Sequence, residues 1–328
     1  MHKDLLSMLA CPESGGDLDM EIQEERDGQV YTGALISRTN GKRFAIERFI
    51  PRFVPKSNYA DNFGFQWNRF RQTQLDSFSG TTITADRFWA QSGWSPEDLA
   101  GKRVLDIGCG AGRFAEIAQE AGAQLVALDF SSAVDACVEN HSRYRSHLNV
   151  VQGNIYHLPF KPAQFDFVYC FGVLQHTPDV KASFMALPSQ LKPGGLLAAD
   201  VYRKHWSNWA HPKYWLRPLT TRMHQQRLFF LVESCASPLL SISSAARKVP
   251  LIGKLLARFI PVANYSGVLS LSKAQLQDWA ILDTFDWLGP TYDQPQTAQT
   301  LLSWGRDGGL VDVEVLHPAH LTLRGRAA

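Results

Sequence analysis

The sequence predicts an α/β protein built on a doubly wound, mostly parallel sheet. From residue 102 onward, strand-like segments such as "RVLDIG", "QLVALDFS" and "FDFVYCFGVL" alternate with helix-like segments such as "GRFAEIAQEAG", the pattern of right-handed βαβ units. A glycine-rich turn separates the first strand from the first helix. Of the 328 residues, 45% are hydrophobic and 20% charged, a composition typical of a globular protein that can bury a core of useful size.

The alternation continues to the end of the chain after one interruption. "VKASFMALPSQLKPGG" is predicted as a helix with a glycine stop, followed by the strand "LLAADVY". After the interruption, "TAQTLLSWGRDGGL" reads as a helix, and "VDVEVLH" and "HLTLRG" as strands. The four predicted units are a small β-rich module at 1–55, a helical cap at 56–98, a core at 99–202 and 286–328, and a helical lid insertion at 203–285.

The first unit is predicted to consist of β-hairpins, because Asp27-Gly28 and Asn40-Gly41 are strong turn signals between short alternating runs. We expect its hairpins to be held by packing of apolar side chains. These are Leu18, Ile22, Leu35, Ile46 and Ile50.

Charge, cysteines and hydropathy limit the class of protein. The formal net charge of +2 makes no case for nucleic acid or an anionic membrane, although local basic patches remain open. Five scattered cysteines without a CxxC pair favour reduced thiols and a cytoplasmic protein. No apolar run reaches the roughly 18 residues of a membrane span. The nearest, "RLFFLVESCASPLLSIS", is broken by Glu233 and Pro238.

The glycine-rich turn reads Asp106-x-Gly108-x-Gly110-x-Gly112. Glycines there allow a tight turn and let a ligand approach the main chain without Cβ clashes. A dinucleotide loop needs a glycine where this sequence has Arg113, and the Asp106 carboxylate would repel a pyrophosphate. It would attract a cationic amino group instead, such as that of a methionine moiety.

The second predicted strand ends in Asp129, which can accept hydrogen bonds from ribose hydroxyls. Both a dinucleotide and an adenosyl-methionine ligand would use such an acid, so this residue does not separate them. Its alternative role is to support the start of the following helix.

The segment resembles the class I S-adenosylmethionine-dependent methyltransferases. "VLDIGCGAGRF", "LVALDFS", "GNIYHLPFKPAQFDFVYC", "GVLQHTPD" and "LKPGGLLAADVY" match that family's motifs in order over about 100 residues. The resemblance implies a Rossmann-like sheet of seven strands and S-adenosyl-L-methionine as cofactor. A dehydrogenase is the remaining alternative.

The resemblance also implies roles for single residues. Asp106, Gly108, Cys109, Gly110 and Gly112 would hold the methionine part, with Cys109 packing as a small residue. Asp129 would hold the ribose and Phe130 would lie against the adenine, with Ile155 adding an apolar contact; Phe171 and Gly172 would line the methionine side. Asn154 stands where the family usually has an acid, and it is either an adenine contact or a plain turn residue.

The first 55 residues resemble the small zinc-ribbon protein that activates tRNA, rRNA and protein methyltransferases. That family has two cysteine pairs, whereas here Cys11 is followed by Ser14, and Ser37 lies where the second pair would be. One thiolate cannot make a closed four-ligand zinc site. We therefore expect no metal.

On the acceptor side, His176 in "GVLQHTPD" is the candidate general base, because imidazole titrates near neutral pH. Its alternative is a histidine that caps a turn or packs on the cofactor. The candidate acceptor contacts come from the cap and from the start of the insertion. They are Tyr59, Phe63, Gln66, Trp67, Tyr202 and Trp206.

Together these observations predict a methyltransferase that acts on an O or N atom of a small molecule or glycoconjugate. An RNA methyltransferase and a non-catalytic binding subunit are the alternatives. We expect no nucleic-acid partner, because the chain has no clear basic stripe. Peripheral membrane contact stays open through "RKVPLIGKLLARF", where cations flank apolar residues.

Overall fold

The computed structural model describes residues 1–55, 58–142, 147–316 and 320–328, with Trp209 described by its backbone alone. The strands form two sheets. A four-stranded antiparallel sheet comprises β1 (Leu18–Arg26), β2 (Gln29–Ser37), β3 (Arg43–Glu47) and β4 (Ile50–Pro51). The antiparallel β module predicted at the N-terminus is thus present, with turns at both predicted dipeptides.

The core of this module is nearly the one expected. Leu18, Leu35, Ile46 and Ile50 are buried. The prediction for Ile22 is wrong: its side chain is 40% exposed. The pairing of β1 with β2 is irregular directly after Ile22, and β1 runs on from there as an exposed ribbon that lies outside the core.

Around Cys11, the module has hydroxyl groups where the zinc-ribbon pattern has thiolates. The Ser14 and Ser37 Oγ atoms lie 3.5 Å apart, and hydrogen bonding from both serines outweighs burial and lowers the pKa of the Cys11 thiol. Within the described ranges, no cluster of three or more His, Cys, Asp or Glu side chains could hold a metal ion.

The module is packed against the edge of the large sheet. The amide of Phe53 donates to the carbonyl of Gln152 (2.8 Å), and the amide of Ala10 to the carbonyl of Pro159 (3.0 Å). Buried residues of the module and of the large sheet form one hydrophobic cluster. The module is therefore part of the core of this protein.

The large sheet confirms the predicted fold class. Its strands are β5 (Arg103–Ile107), β6 (Gln124–Asp129), β7 (Leu148–Gln152), β8 (Phe165–Cys170), β9 (Leu191–Val201), β10 (Leu310–Leu316) and β11 (Leu321–Ala327). The spatial order is β10-β11-β9-β8-β5-β6-β7. Strands β5 to β9 pair in parallel, and β11 is antiparallel to both neighbours. The predicted strand end at residue 317 lies outside the described residues.

The strand order reverses direction between β5 and β8. Strands β6 and β7 lie on one side of β5, and strands β8 and β9 lie on its other side. In open α/β sheets, ligands bind at the carboxyl ends of the strands beside such a switch point. The glycine-rich turn after β5 lies there.

The helices flank this sheet and cover its ligand-binding edge. The cap contains α1 (Asp61–Arg69), α2 (Asp76–Ser79), α3 (Ile83–Ser92) and α4 (Pro96–Leu99). The core helices are α5 (Arg113–Glu120), α6 (Ala133–Asn140), α7 (Val180–Met185) and α12 (Ala298–Asp307). The insertion provides α8 (Pro212–Thr220), α9 (Gln225–Arg247), α10 (Gly253–Arg258) and α11 (Lys273–Leu288).

One predicted helix is wrong in its second half. The helix expected over 180–195 ends at Met185, and β9 begins at Leu191. Pro188 separates the two, because its ring fixes φ and its nitrogen cannot donate to a continuing helix.

Candidate active site

A cavity of about 640 Å³ lies over the carboxyl ends of β5, β6 and β8. Its volume falls within the ~300–1,000 Å³ range of small-molecule sites. One wall is the glycine-rich turn and the strand ends, and the other is α1 with the insertion helices. The site is therefore formed jointly by the core, the cap and the insertion.

The glycine-rich turn is so closely packed that side chains would not fit. Gly108 has φ +84°, and a Cβ there would lie 2.2 Å from a methyl carbon of Val173. Gly110 has φ +53°, and a Cβ there would lie 3.3 Å from the indole nitrogen of Trp67. Cys109 also borders the cavity. Close packing against Val173 and Trp67 thus explains why Gly108 and Gly110 are glycines.

Asp106 and Gly112 do not line the cavity. Gly112 precedes α5 with φ +90°, and a Cβ there would lie 2.3 Å from Nε2 of His141, so packing against the core explains this glycine. Asp106 is buried beneath the turn. Burial raises the pKa of its carboxyl group, and its Oδ2 has no hydrogen-bond partner among the described residues.

Asp129 links the glycine-rich turn to β6. Its Oδ2 accepts a hydrogen bond from the amide of Gly110 (2.9 Å), and its Oδ1 accepts from the amide (2.8 Å) and hydroxyl (2.7 Å) of Ser131. Burial raises the pKa of this carboxyl group. The support for α6 is indirect, since the amide of Ala133 donates to Ser131 Oγ (3.2 Å). Asp129 also lines the cavity, and its Oδ2 retains one lone pair for a ligand.

Of the three residues expected to contact the adenine, two line the cavity and one does not. Phe130 and Ile155 line the cavity, with the Tyr59 ring 5.0 Å from that of Phe130. Asn154 does not, and its Oδ1 accepts from the amide of Tyr156 (3.0 Å) in a local turn. The geometry of Asn154 thus matches the turn alternative.

The methionine side is closed by the end of β8. Phe171 and Gly172 both line the cavity. The amide of Gly172 donates to the buried carboxylate of Asp200, whose other oxygen accepts from Arg87 (2.9 Å). This ion pair orients the backbone that follows β8.

Five of the six candidate acceptor contacts line the cavity, namely Tyr59, Phe63, Gln66, Trp67 and Tyr202. Trp206 lies outside the cavity lining with 78% of its surface exposed.

His176 is held in one orientation at the cavity. Its Nδ1 lies 2.9 Å from the carbonyl oxygen of Tyr292. A carbonyl can only accept, so Nδ1 carries the proton and Nε2 of the neutral ring has the free lone pair. His176 is 6% exposed, and Nε2 has no partner among the described residues. The ring lies between Phe63 (5.3 Å) and Tyr202 (5.4 Å).

The segment 289–297, which connects α11 to α12, holds this histidine in place, and we call it the strap. The amide of Gln294 donates to the carbonyl of Gln175 (2.9 Å), and its side-chain amide donates to the carbonyls of Thr177 (2.8 Å) and Pro178 (3.0 Å). Nothing near residue 176 in the sequence predicts this contact with a strap more than 100 residues away.

Sequence reasoning missed the polar groups that α11 and its neighbours bring to the cavity. Asp283 is hydrogen-bonded to the hydroxyl of Tyr265, and burial raises its pKa to about 6. The hydroxyl of Tyr202 lies 3.4 Å from Asp286. Two acids three residues apart in the otherwise apolar "WAILDTFDWL" were an available signal.

Five cationic residues line the cavity, and two of them, Lys213 and Arg113, are largely buried. Lys213 pairs with Asp293 at 2.7 Å, and both side chains are almost fully buried. Arg113 donates to Gln74 (2.8 Å) and Thr84 (3.0 Å), and burial lowers its pKa to about 9. Arg113, which stands where a dinucleotide loop would have a glycine, thus joins the cap to the core.

Part of this chain is similar in sequence to known methyltransferases. Residues 105–199 match the family described as "Methyltransferase domain". A ubiquinone biosynthesis O-methyltransferase of Xanthomonas euvesicatoria pv. vesicatoria is 34% identical over 149 residues, covering 40% of this chain and 61% of that protein. Its namesake from Nitrobacter winogradskyi is 31% identical over 144 residues, covering 42% and 54%. The chain thus spans less than two thirds of the length of these relatives.

Solved structures with a similar arrangement have low sequence identity. Magnesium protoporphyrin IX methyltransferase from Synechocystis PCC 6803, with bound SAH, has a TM-score of 0.43 at 14% identity, covering 82% of this chain and 97% of that one. Phosphoethanolamine N-methyltransferase 2 of Haemonchus contortus has a TM-score of 0.46 at 15% identity, covering 80% and 46%.

The seven-stranded, mostly parallel sheet is a Rossmann-like fold, and residues 105–199 within it are similar to the family described as "Methyltransferase domain".

Proposed function

We propose that this protein is an S-adenosylmethionine-dependent methyltransferase that methylates a hydroxyl oxygen of a small molecule or glycoconjugate. The observation that carries the proposal is His176, which lines the cavity together with the glycine-rich turn and Asp129, and whose Nε2 has no hydrogen-bond partner among the described residues. When bound, S-adenosylmethionine supplies an electrophilic methyl group on a sulfonium sulfur.

The residues on the core side of the cavity fit this cofactor. Gly108 and Gly110 line the cavity and would present backbone to its methionine part, Oδ2 of Asp129 has one lone pair left for a ribose hydroxyl, and Phe130 with Ile155 offers apolar surface to a purine. These residues would hold the cofactor at the carboxyl edge of the sheet.

On the acceptor side, His176 would take the proton of the attacking hydroxyl. As the new oxygen–carbon bond forms and the carbon–sulfur bond breaks, that proton moves to Nε2, and the charge on the ring is stabilised through Nδ1 by the Tyr292 carbonyl. Phe63, Trp67 and Tyr202 would exclude water and align the acceptor.

The names of the relatives support an oxygen acceptor. Both curated relatives are O-methyltransferases by name. An amine acceptor deprotonated in solution would need no base at His176.

The test is transfer of a labelled methyl group from S-adenosylmethionine to a panel of phenols, sugars, amines, polar lipid extract and tRNA. We expect labelling of a hydroxyl compound and its loss in Asp129→Ala. Labelling restricted to tRNA would favour the RNA alternative, and cofactor binding without any labelling would favour the binding subunit.

A further inference from the structure

The exposed apolar side chains of this protein are concentrated in the insertion. Of the sixteen large hydrophobic residues exposed among the described residues, thirteen lie between Trp206 and Val268. We call seven of them the apolar tip: one residue of α8 and six that lie in α10 or close to its two ends. They are Trp215, Val249, Leu251, Ile252, Leu255, Leu256 and Phe259.

The apolar tip is a folded surface feature. Trp215 and Phe259 stack with ring centroids 6.2 Å apart, which joins α8 to α10. Leu251 is fully exposed at φ +66°, a backbone conformation that favours glycine. Monomeric soluble proteins rarely leave such a group of aliphatic side chains in water unless it is an interaction site.

The charge of the same region identifies the kind of partner. Residues 203–272 contain ten lysines and arginines and a single acid, Glu233, for a net charge of +9. The rest of the chain therefore carries −7, since the whole chain has +2. Lys248 and Lys254 are exposed within the tip sequence and form no ion pair among the described residues. Cations around an exposed apolar group are complementary to an anionic lipid surface.

Helix α9 is consistent with a position in the membrane interface. It is long and apolar enough to cross a membrane by length and composition, with 28% of its apolar window buried. Its buried side includes Phe229, whose ring lies 5.8 Å from that of Phe285 on α11. That side belongs to the protein core, while Phe230 and Leu231 next to it are exposed.

The apolar tip adjoins the mouth of the active-site cavity. Tyr214 and Arg258 line the cavity, and their chain neighbours Trp215 and Phe259 are exposed in the tip. A surface that bound the tip would lie beside the opening of the cavity. Residues 214–215 and 258–259 therefore contribute both to the cavity lining and to the apolar tip.

We propose that the apolar tip docks the protein on the surface of an anionic phospholipid bilayer. The cavity then opens toward the headgroup layer and takes an amphiphilic acceptor from the membrane; this last step rests on the proposed function. A second copy of the chain is disfavoured as occupant, because two copies of the +9 segment 203–272 repel each other. RNA is disfavoured because aliphatic side chains offer it neither stacking nor hydrogen bonds.

The test is sedimentation of the full chain with vesicles of phosphatidylglycerol and phosphatidylcholine, and with phosphatidylcholine alone. We expect binding to the anionic vesicles that weakens with salt. Leu251→Ser and Leu255→Ser should each weaken it about tenfold. Lys248→Glu and Lys254→Glu should each weaken it about fivefold or more.

Matched controls lie outside the insertion. Phe78→Ser removes a side chain that is 57% exposed, and Lys102→Glu reverses an exposed charge; neither should change binding. Equal sedimentation of tip and control variants, or no sedimentation of the parent, would overturn the proposal. So would a tip-dependent dimer in the absence of lipid, or tip-dependent RNA binding that vesicles fail to displace. Thermal stabilisation by S-adenosylhomocysteine, measured without vesicles, tests the cofactor site separately.

Discussion

His176 donates its Nδ1 proton to the carbonyl oxygen of Tyr292 across 2.9 Å, and this one contact leaves Nε2 as the basic atom at the cavity. The partner follows α11, so a segment more than 100 residues away in the chain determines the tautomer of His176.

Replacing His176 should separate cofactor binding from methyl transfer. We expect His176→Gln and His176→Asn to bind S-adenosylhomocysteine as the parent does and to lower kcat by about 10²–10⁴. The loss should shrink as pH rises, when the acceptor ionises without help. A structural role would be indicated if His176→Asn, which keeps an N–H group near the Nδ1 position, turned over normally.

Two glycines with similar backbone conformation should respond differently to alanine. Gly108 has φ +84° and Gly194, which lies outside the cavity lining, has φ +77°, but a Cβ at Gly108 meets Val173 at 2.2 Å whereas one at Gly194 meets nothing within 4 Å. Both substitutions carry the left-handed strain of about 1–2 kcal/mol. Only Gly108→Ala should also distort the turn and lose cofactor binding.

Measuring S-adenosylhomocysteine affinity by calorimetry checks this, with unfolding followed in parallel. Val173→Ala in the Gly108→Ala background should restore part of the affinity by removing the clash. Equal losses in both alanine variants would mean that strain alone, and not the closeness of Val173, decides the effect.

Asp283 should make the protein less stable as the pH rises through its titration. Burial raises its pKa from 3.8 to about 6. The folded state therefore binds this proton more tightly than the unfolded state, and the free energy of unfolding falls between about pH 4 and pH 6. Asp283→Asn should remove that loss, stabilising the protein above pH 6 by up to about 3 kcal/mol relative to the parent.

Denaturant unfolding of parent and variant at pH 4.5 and pH 7.5 measures this difference. The comparison is needed because burial lowers the pKa of His211 to about 4, which gives the opposite slope over a similar range. Asp312→Asn, at an exposed carboxylate paired with Arg326, is the control. An Asp283→Asn variant no more stable than the parent at pH 7.5 would show that the carboxylate is not penalised by burial.

The sequence predicted the core-side half of the site well because its signals are local. The turn from Asp106 to Gly112 and the acid at Asp129 each follow a strand directly, and parallel strands bring their carboxyl ends together. Asn154 shows the limit of such reasoning, since its side chain bonds to the turn beside it.

The acceptor half could be predicted only in part, because its contacts join distant segments. The Tyr292 strap, the buried pair of Lys213 with Asp293 and the acids of α11 come together through packing of the insertion. The charge of residues 203–272 could have been counted from the sequence, but the net charge of +2 for the whole chain concealed the +9 of this segment. Ile22 failed because an alternating pattern does not show where a strand leaves the core.

Binding of S-adenosylhomocysteine to the parent and to Asp129→Ala is the most direct test of the central claim, that the turn after β5 and the end of β6 form an S-adenosylmethionine site. Ligand at 100 times its Kd should stabilise the parent by about 2.7 kcal/mol, a rise of a few degrees in Tm. We expect no such rise with NAD or in Asp129→Ala, and an unchanged rise in the exposed control Asp86→Ala. Stabilisation by NAD instead, or an equal rise in Asp129→Ala, would contradict the account.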